Sequence, residues 1–242
     1  MNYRQFWLWV WLWTMLGAVP ALAQPSVDQV IEKYVQAIGG QAAYEKITTR
    51  TMKGTAEIPD DNVTGPAQVF AKAPGSYRLT IDIPGYGVIE TVVDGDHGWE
   101  KNPDSGVNSM SNADLANAKR DHHFYREVRL KELFPKMEMA AAARVNGRAA
   151  NVIEATPAGG TAEKLYFDAE SGLLVKHDYE RVTLEDGIVQ YEVLYGDYRD
   201  VDGLKLPATI EQRSPDSTTI FKFAEIRNNA PLADTAFAKP EK

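Results

Sequence analysis

The sequence predicts an α+β fold: a strongly curved antiparallel half-barrel of about 11 strands, with an N-terminal helix and a middle lid helix on its concave face. Three observations predict it. Turn signals such as Asp94-Gly95, Asn146-Gly147 and Asp202-Gly203 recur at regular spacing. The segments between them alternate apolar and polar residues with a period of two. Helical periodicity is found near the N-terminus and again over residues 111–134.

Residues 1–23 read as a secretory signal peptide. Arg4 makes a positive n-region, and Phe6 to Val19 is apolar apart from Thr14 and Gly17. Ala21-Leu22-Ala23 before Gln24 fits the small-x-small cleavage rule. The stretch is too short for a stop-transfer helix. The mature chain, 24–242, reads as a single domain exported to the periplasm, without a Gly/Pro/Ser linker, an internal repeat or a transmembrane segment. Its formal charge of −8 becomes one unit more negative when Arg4 leaves with the signal. An acidic chain without a basic stripe argues against nucleic acid and against charge-driven binding to anionic lipid. The absence of cysteine removes disulfides, thiol nucleophiles, thiolate metal sites and a lipid-anchoring thiol. Four of the five tryptophans lie in the signal peptide, so the mature chain keeps only Trp99.

The first helix is "SVDQVIEKYVQAIGG". Ser26 stands at the cap with Gln29 in the capping-box position, and Val27, Val30, Ile31, Tyr34, Val35 and Ile38 form one stripe. Gly39 and Gly40 stop it, and "QAAYEKI" makes a short second helix. Strands follow. In "SYRLTIDIPG", Tyr77, Leu79, Ile81 and Ile83 point one way while Arg78, Thr80 and Asp82 point the other. "GVIETVVDGDHGWEKNPDSG" reads as two strands ending in a polar loop. After the middle helix, strands resume from "KMEMAAAARV" to "TTIFKFAEIRNN" as an antiparallel meander.

The alternation is one-sided. Leu165, Phe167, Val175, His177, Tyr179, Val189, Tyr191, Val193, Tyr195, Phe221 and Phe223 share one face; Lys164, Asp168, Lys176, Asp178, Glu180, Gln190, Glu192 and Lys222 share the other. A sheet of this size curls under its own twist. Two helices cannot fill its concave side unless the remaining space is a cavity. In the middle helix, Leu115, Ala118, His122, Tyr125 and Val128 or Arg129, closed by Leu133 and Phe134, form the stripe that would face the sheet.

Catalytic readings are weaker. His122 and His123 are consecutive, so on a helix they diverge by about 100° and cannot chelate one ion. His123 and Glu127 share a face at i, i+4, which leaves a metal-assisted hydrolase as an alternative; His97 with Asp94 or Asp96 is a second candidate group. No third ligand, Gly-x-Ser-x-Gly elbow or phosphate loop accompanies them. No catalytic residue, metal or cofactor is therefore assigned.

The chain resembles the LolA/LolB lipoprotein-carrier family and its secreted LolA-like relatives described as outer-membrane lipoprotein-sorting proteins. The segments that carry the resemblance are "VIEKYVQAIGG", "QVFAKAPGSYRLTI", "VVDGDHGWEKNP", "LYFDAESGLLVK", "DYRDVDGLKLPATIE" and "IFKFAEIRNNAPLADTAFAKP". The resemblance implies an eleven-stranded curved sheet with a helical lid over an apolar cavity that takes acyl chains without catalysis. It also implies a lid-locking arginine just before a proline. Here that place reads Lys72-Ala73-Pro74, so alanine stands where the arginine would be.

The expected function is a periplasmic, non-enzymatic binding protein for a lipid-like ligand or lipoprotein acyl chains, with a role in outer-membrane lipoprotein sorting. An envelope stress sensor or interaction scaffold with an envelope protein partner is a further alternative. The chain is taken as a monomer. The expected ligand-binding residues are Leu79, Ile81, Trp99, Leu115, Tyr125, Leu133, Phe167, Tyr191, Val193 and Phe221. Tyr179, Tyr191 and Tyr195 would supply hydroxyls.

Overall fold

The computed structural model describes residues 24–183 and 187–241. The expected signal peptide, residues 1–23, lies outside them, as does Asp186 of the expected Asp186-Gly187 turn. The strands before the middle segment are β1 (Thr49–Ile58), β2 (Val63–Lys72), β3 (Ser76–Ile83), β4 (Gly87–Asp94), β5 (His97–Asn102) and β6 (Gly106–Ser109). Those after it are β7 (Lys136–Met139), β8 (Ala143–Val145), β9 (Arg148–Thr156), β10 (Glu163–Asp168), β11 (Leu174–Thr183), β12 (Gly187–Val201), β13 (Leu204–Arg213) and β14 (Thr218–Asn228). The helices are α1 (Val27–Ala37), α2 (Gln41–Tyr44), α3 (Asn112–Asp121) and α4 (Leu130–Leu133).

All strands join one open, curved antiparallel sheet of 14 strands, in the order β6-β5-β4-β3-β2-β1-β14-β13-β12-β11-β10-β9-β7, with β8 beside β9. The sheet is longer than the expected eleven strands because its ends carry short ones. β6 lies in what reads as a polar loop, and "KMEMAAAARV" divides into β7 and β8 around an alanine run that shows no alternation.

The pairing of β1 with β14 joins the two halves of the meander, so the open edges are β6 and β7. These edges are consecutive in sequence. The chain between them must travel from one end of the curled sheet to the other. Topology thus requires residues 110–135 to cross the sheet, and the His122 ring on Tyr77 puts that crossing on the face that carries Tyr77.

α1 begins as its capping box requires: Gln29 N donates to Ser26 Oγ at 3.2 Å, and Ser26 N donates to Gln29 Oε1 at 2.9 Å. It ends at Gly39, whose φ of +115° suits glycine. A Cβ there would also lie 2.4 Å from the Gly203 carbonyl oxygen. Lys205 N donates to Ile38 O at 3.0 Å, which ties the helix end to the β12–β13 turn. The stripe Val30, Ile31, Tyr34 and Ile38 is buried in the main core with Ile153, Leu165, Phe167, Leu174, Leu204 and Leu206.

A register shift between Lys53 and Gly54 bends β1 against β14. A Cβ on Gly54 would stand 1.9 Å from the Lys222 carbonyl oxygen. Gly54→Ala is therefore expected to lower the urea midpoint, by an amount equivalent to about 1–3 kcal/mol of overpacking.

The middle segment is not the single helix that its periodicity suggests. α3 ends at Asp121, residues 122–125 form turns, Arg126–Val128 is one 3-10 turn, and α4 is four residues long. α3 buries none of its residues, whereas Phe124, Leu130 and Phe134 are core. The break has a visible cause. Phe124 N donates to Pro74 O at 3.3 Å, and the His122 ring stacks on Tyr77 with centroids 3.8 Å apart. Those contacts to the β2–β3 hairpin replace the next helical turn.

Candidate functional site

The strand registers define the inner face. Arg50, Met52, Ala56 and Ile58 of β1 oppose Ala71, Val69, Gly65 and Val63 of β2; Ala67, Val69 and Ala71 oppose Ile81, Leu79 and Tyr77 of β3. Tyr77 carries His122, so this is the face that the middle segment crosses. On the other wing, Glu163, Leu165 and Phe167 of β10 share the face with His177, Tyr179 and Arg181 of β11, and with Val189, Tyr191 and Val193 of β12.

Three zones occupy it. The first is the main apolar core beneath α1 and residues 124–134. The second is a buried ionic strip. Glu163, 1% exposed, accepts from Arg120 Nη2 at 2.8 Å and Arg181 Nη1 at 3.2 Å through Oε1, and meets His177 Nε2 at 2.7 Å through Oε2. Arg181 Nη2 donates to Asp121 Oδ2 at 2.5 Å, with its guanidinium 4.1 Å from the centre of the Tyr179 ring. Tyr179 in turn stacks on Tyr191 at 5.2 Å. The third zone is a second apolar cluster of Ala56, Ala67, Ile81 and Ile83, flanked by Ile58, Val63, Leu79, Ile89 and Phe221. Every member comes from a strand or a strand end; no helix residue belongs to it.

The strip is charged in a definite sense. Burial works against the Glu163 carboxylate, but the His177 hydrogen bond and Arg120 hold its pKa below the ordinary value. Burial likewise opposes Asp121, and Arg181, Arg120 and Arg126 bring it below normal. Burial dominates at His177 and keeps it neutral, so its Nε2–H is the donor to Glu163. Burial also lowers His122 to about 4, against the pull of Asp121. An unfolded histidine titrates near 6.5. Between those values the unfolded chain binds a proton that the folded chain refuses. The stability is therefore intact above about pH 6.5 and falls as the pH drops towards about 4. His122→Phe keeps a ring on Tyr77 and is expected to flatten that part of a urea-midpoint profile against pH.

The sequence-derived residues distribute over all three zones. Tyr125, Leu133 and Phe167 lie in or against the main core, and the Tyr125 hydroxyl donates to Ile47 O at 3.0 Å. Tyr191 and Val193 flank the ionic strip. Leu79, Ile81 and Phe221 belong to the second cluster. Leu115 of α3 sits over Gly98, 2.9 Å from where a Cβ would be. Trp99 does not share this face. It pairs with Val92, one residue out of phase with the inner Val93–Gly98 pair, and stacks on His97. The C-terminal 3-10 turn Asp234–Phe237 packs on β3 and β4. The Arg78 guanidinium, in phase with Trp99, donates to Ala238 O.

The candidate catalytic groups are placed as follows. His123 Nδ1 accepts from Tyr125 N at 3.2 Å and so is turned into the local backbone, not paired on a helix with Glu127. Asp94 accepts from Ser76 Oγ at 2.8 Å, and Asp96 holds Lys119 at 2.8 Å on an exposed turn. Among the described residues, no three His, Asp or Glu side chains gather with metal-ligand spacing.

Sequence reading missed Arg120, Asp121, Arg126, Glu163 and Arg181 as inner-face groups. Two of them carried a signal. Glu163 is in phase with Leu165 and Phe167, and Arg181 is in phase with His177 and Tyr179. A charge at an inward position was available to be noticed.

No protein-family model and no curated protein sequence matches this chain. Solved structures do. A DUF1329 family protein from Desulfovibrio piger ATCC 29098 is similar with a TM-score of 0.58 at 15% identity, over 88% of this chain and 97% of that one. A LolA superfamily protein from Nitrosomonas europaea gives 0.56 at 14% identity, over 89% and 98%. An outer membrane lipoprotein-sorting protein domain from Vibrio parahaemolyticus gives 0.56 at 11% identity, over 87% and 95%. With its open curved sheet and the segment that crosses between the sheet's two edges, the chain has the LolA-like fold.

Proposed function

We propose that this chain is a periplasmic, non-catalytic binding protein that holds a lipid-like ligand, such as the acyl chain of a lipoprotein, against the inner face of its sheet. One observation carries the reading: the second apolar cluster on the inner face is built from strands alone, with no helical residue packed into it. An acyl chain laid on Leu79, Ile89 and Phe221, the half-buried flanks of the cluster, would extend over it the cover that α1 and α4 supply to the main core. Binding of this kind is mostly apolar burial. A series of straight-chain ligands should therefore gain about 0.8 kcal/mol per added methylene until the cluster is covered, read as Kd against chain length.

The signal-like residues 1–23 support export, with 24–242 as one domain. The Vibrio structure's description as an outer membrane lipoprotein-sorting domain makes a lipoprotein acyl chain a fitting ligand. The lid would be held differently from the arginine arrangement that the resemblance implies. Ala73 packs against the main core, and Pro74 O accepts from Phe124 N. Arg50, one strand away, places its guanidinium 5.5 Å from the Tyr44 ring centre and 5.7 Å from that of Phe124.

The test is organic extraction of protein purified from its own cell envelope, followed by lipid mass spectrometry. A long-chain lipid near one per protein is expected, and its loss in Ile81→Asp that remains folded. Protein that carries no lipid-like molecule, and takes up none when offered, would overturn the proposal.

A further inference from the structure

We propose that Arg126, with the hydroxyls of Tyr34 and Tyr195, receives the carboxylate head of the ligand, which is therefore a long-chain carboxylic acid bound as its anion. The inference rests on the binding role proposed above and names the chemistry of the head group.

Arg126 is 7% exposed. Among the described residues its guanidinium makes no side-chain hydrogen bond or ion pair, and Nε is buried without a partner. A buried charge left in this state is costly, and native proteins pair such groups. The contrast with its neighbours is direct: Arg120 and Arg181 both reach Glu163, and Arg181 also holds Asp121. Tyr195, Asp121, Glu127 and Tyr34 all act on the Arg126 charge, and His122, His177 and Tyr198 also feel it. Asp121 is already engaged by Arg181, and Glu127 forms no ion pair with Arg126.

The two tyrosines sharpen the chemistry. Burial raises the pKa of both, so both hydroxyls keep their protons. Neither makes a side-chain hydrogen bond among the described residues. A guanidinium and two hydroxyls offer donors and lack acceptors, and a carboxylate offers acceptors only. A phosphate monoester suits the place less well, because each further negative charge meets Asp121 and Glu127.

The place is continuous with the apolar cluster. Tyr195 of β12 pairs with Ile210 of β13, and Ile210 pairs with Phe221 of β14, which flanks the cluster. Along β3, the inner residues from Tyr77 to Ile83 extend about 20 Å at ~3.3 Å per residue. A head seated at Arg126 would send its tail past Ile210 and Phe221 towards the cluster.

The test uses delipidated mature protein titrated with laurate, methyl laurate and dodecyl phosphate below their micelle concentrations. Laurate is expected to bind about tenfold or more tighter than its methyl ester, as for a charge-assisted hydrogen bond. Arg126→Met should abolish that preference while ester binding is kept, and its melting temperature should not fall. Arg126→Lys, a backup if the methionine variant does not fold, should reduce the preference without removing it. Dodecyl phosphate should bind more weakly than laurate. Equal affinity for acid and ester in the wild type, a preference that survives Arg126→Met, or phosphate binding tighter than laurate would each overturn the head-group assignment while leaving the binding role standing. Failure of all three ligands to bind would overturn the binding role itself.

Discussion

Glu163→Ala is expected to cost about 3–5 kcal/mol of folding stability, read as a fall in the urea midpoint, because it strips the acceptor from a buried charged group. Glu163 serves three donors, Arg120, Arg181 and His177, from a position 1% exposed. Removing it leaves two guanidinium groups sharing Asp121 alone. The loss exceeds that of any exposed ion pair, such as Lys131 with Asp28, which would contribute about 0–1 kcal/mol. Replacing Glu163 and His177 together by leucine should not recover that loss, since the Arg120 and Arg181 guanidinium groups still lack their carboxylate. The pH dependence follows from the same groups. Glu163 and Asp121 titrate lower in the folded chain than at their ordinary values of 4.5 and 3.8. Their contribution is thus complete above those values and is lost as the pH falls through the lower folded ones. A Glu163→Ala variant whose midpoint equals that of the wild type would show that the strip does not hold the middle segment.

Phe134→Ala is expected to cost about 3–5 kcal/mol, in the range of buried phenylalanine truncations. Phe134 is 1% exposed in the main core, and the Arg120 guanidinium lies 5.8 Å from its ring centre. The change therefore removes apolar packing and one wall of the ionic strip together. Its effect should be local as well as global. Hydrogen exchange should accelerate across residues 122–134, whose backbone is secured by short turns and by the single bond to Pro74 O. The amides of α1, packed on β10 and β13 through Tyr34 and Ile38, should keep their protection. Uniform acceleration over the whole chain would mean that the middle segment and the core open as one unit.

These effects centre on features that are unevenly readable from sequence. Local chemistry is legible. The Ser26–Gln29 capping box forms, and the Asn146-Gly147 and Asp202-Gly203 turns adopt the positive φ angles that those residue pairs favour. The one-sided alternation is real: Lys176 on the outer face bridges Asp178 and Glu192, and Arg213 continues the ladder. Tertiary competition is not legible. The stripe from Leu115 to Phe134 fits a helical wheel, yet residues 122–125 leave the helix because Tyr77 and Pro74 offer His122 and Phe124 better contacts. The expected inward place of Trp99 fails because its strand, "HGWEKN", carries a glycine at the inward position, where a larger side chain would have revealed the phase. The inner face beneath the lid also carries Arg120, Arg126, Glu163 and Arg181, long charged side chains that a count of helices does not predict.

The outward position of Trp99 also decides how binding should be observed. The fluorescence of Trp99, the one tryptophan among the described residues, reports on the outer face of the sheet, not on the inner one. The most direct measurement is a methyl-resolved NMR titration with a long-chain amphiphile. If the inner face holds the ligand, the methyls of Ile58, Ile81, Ile83 and Ile89 shift together and saturate at one equivalent, while that of Val92 on the outer face stays in place. Saturating shifts at Val92 with the four isoleucines unmoved would contradict a binding site on the concave side of the sheet.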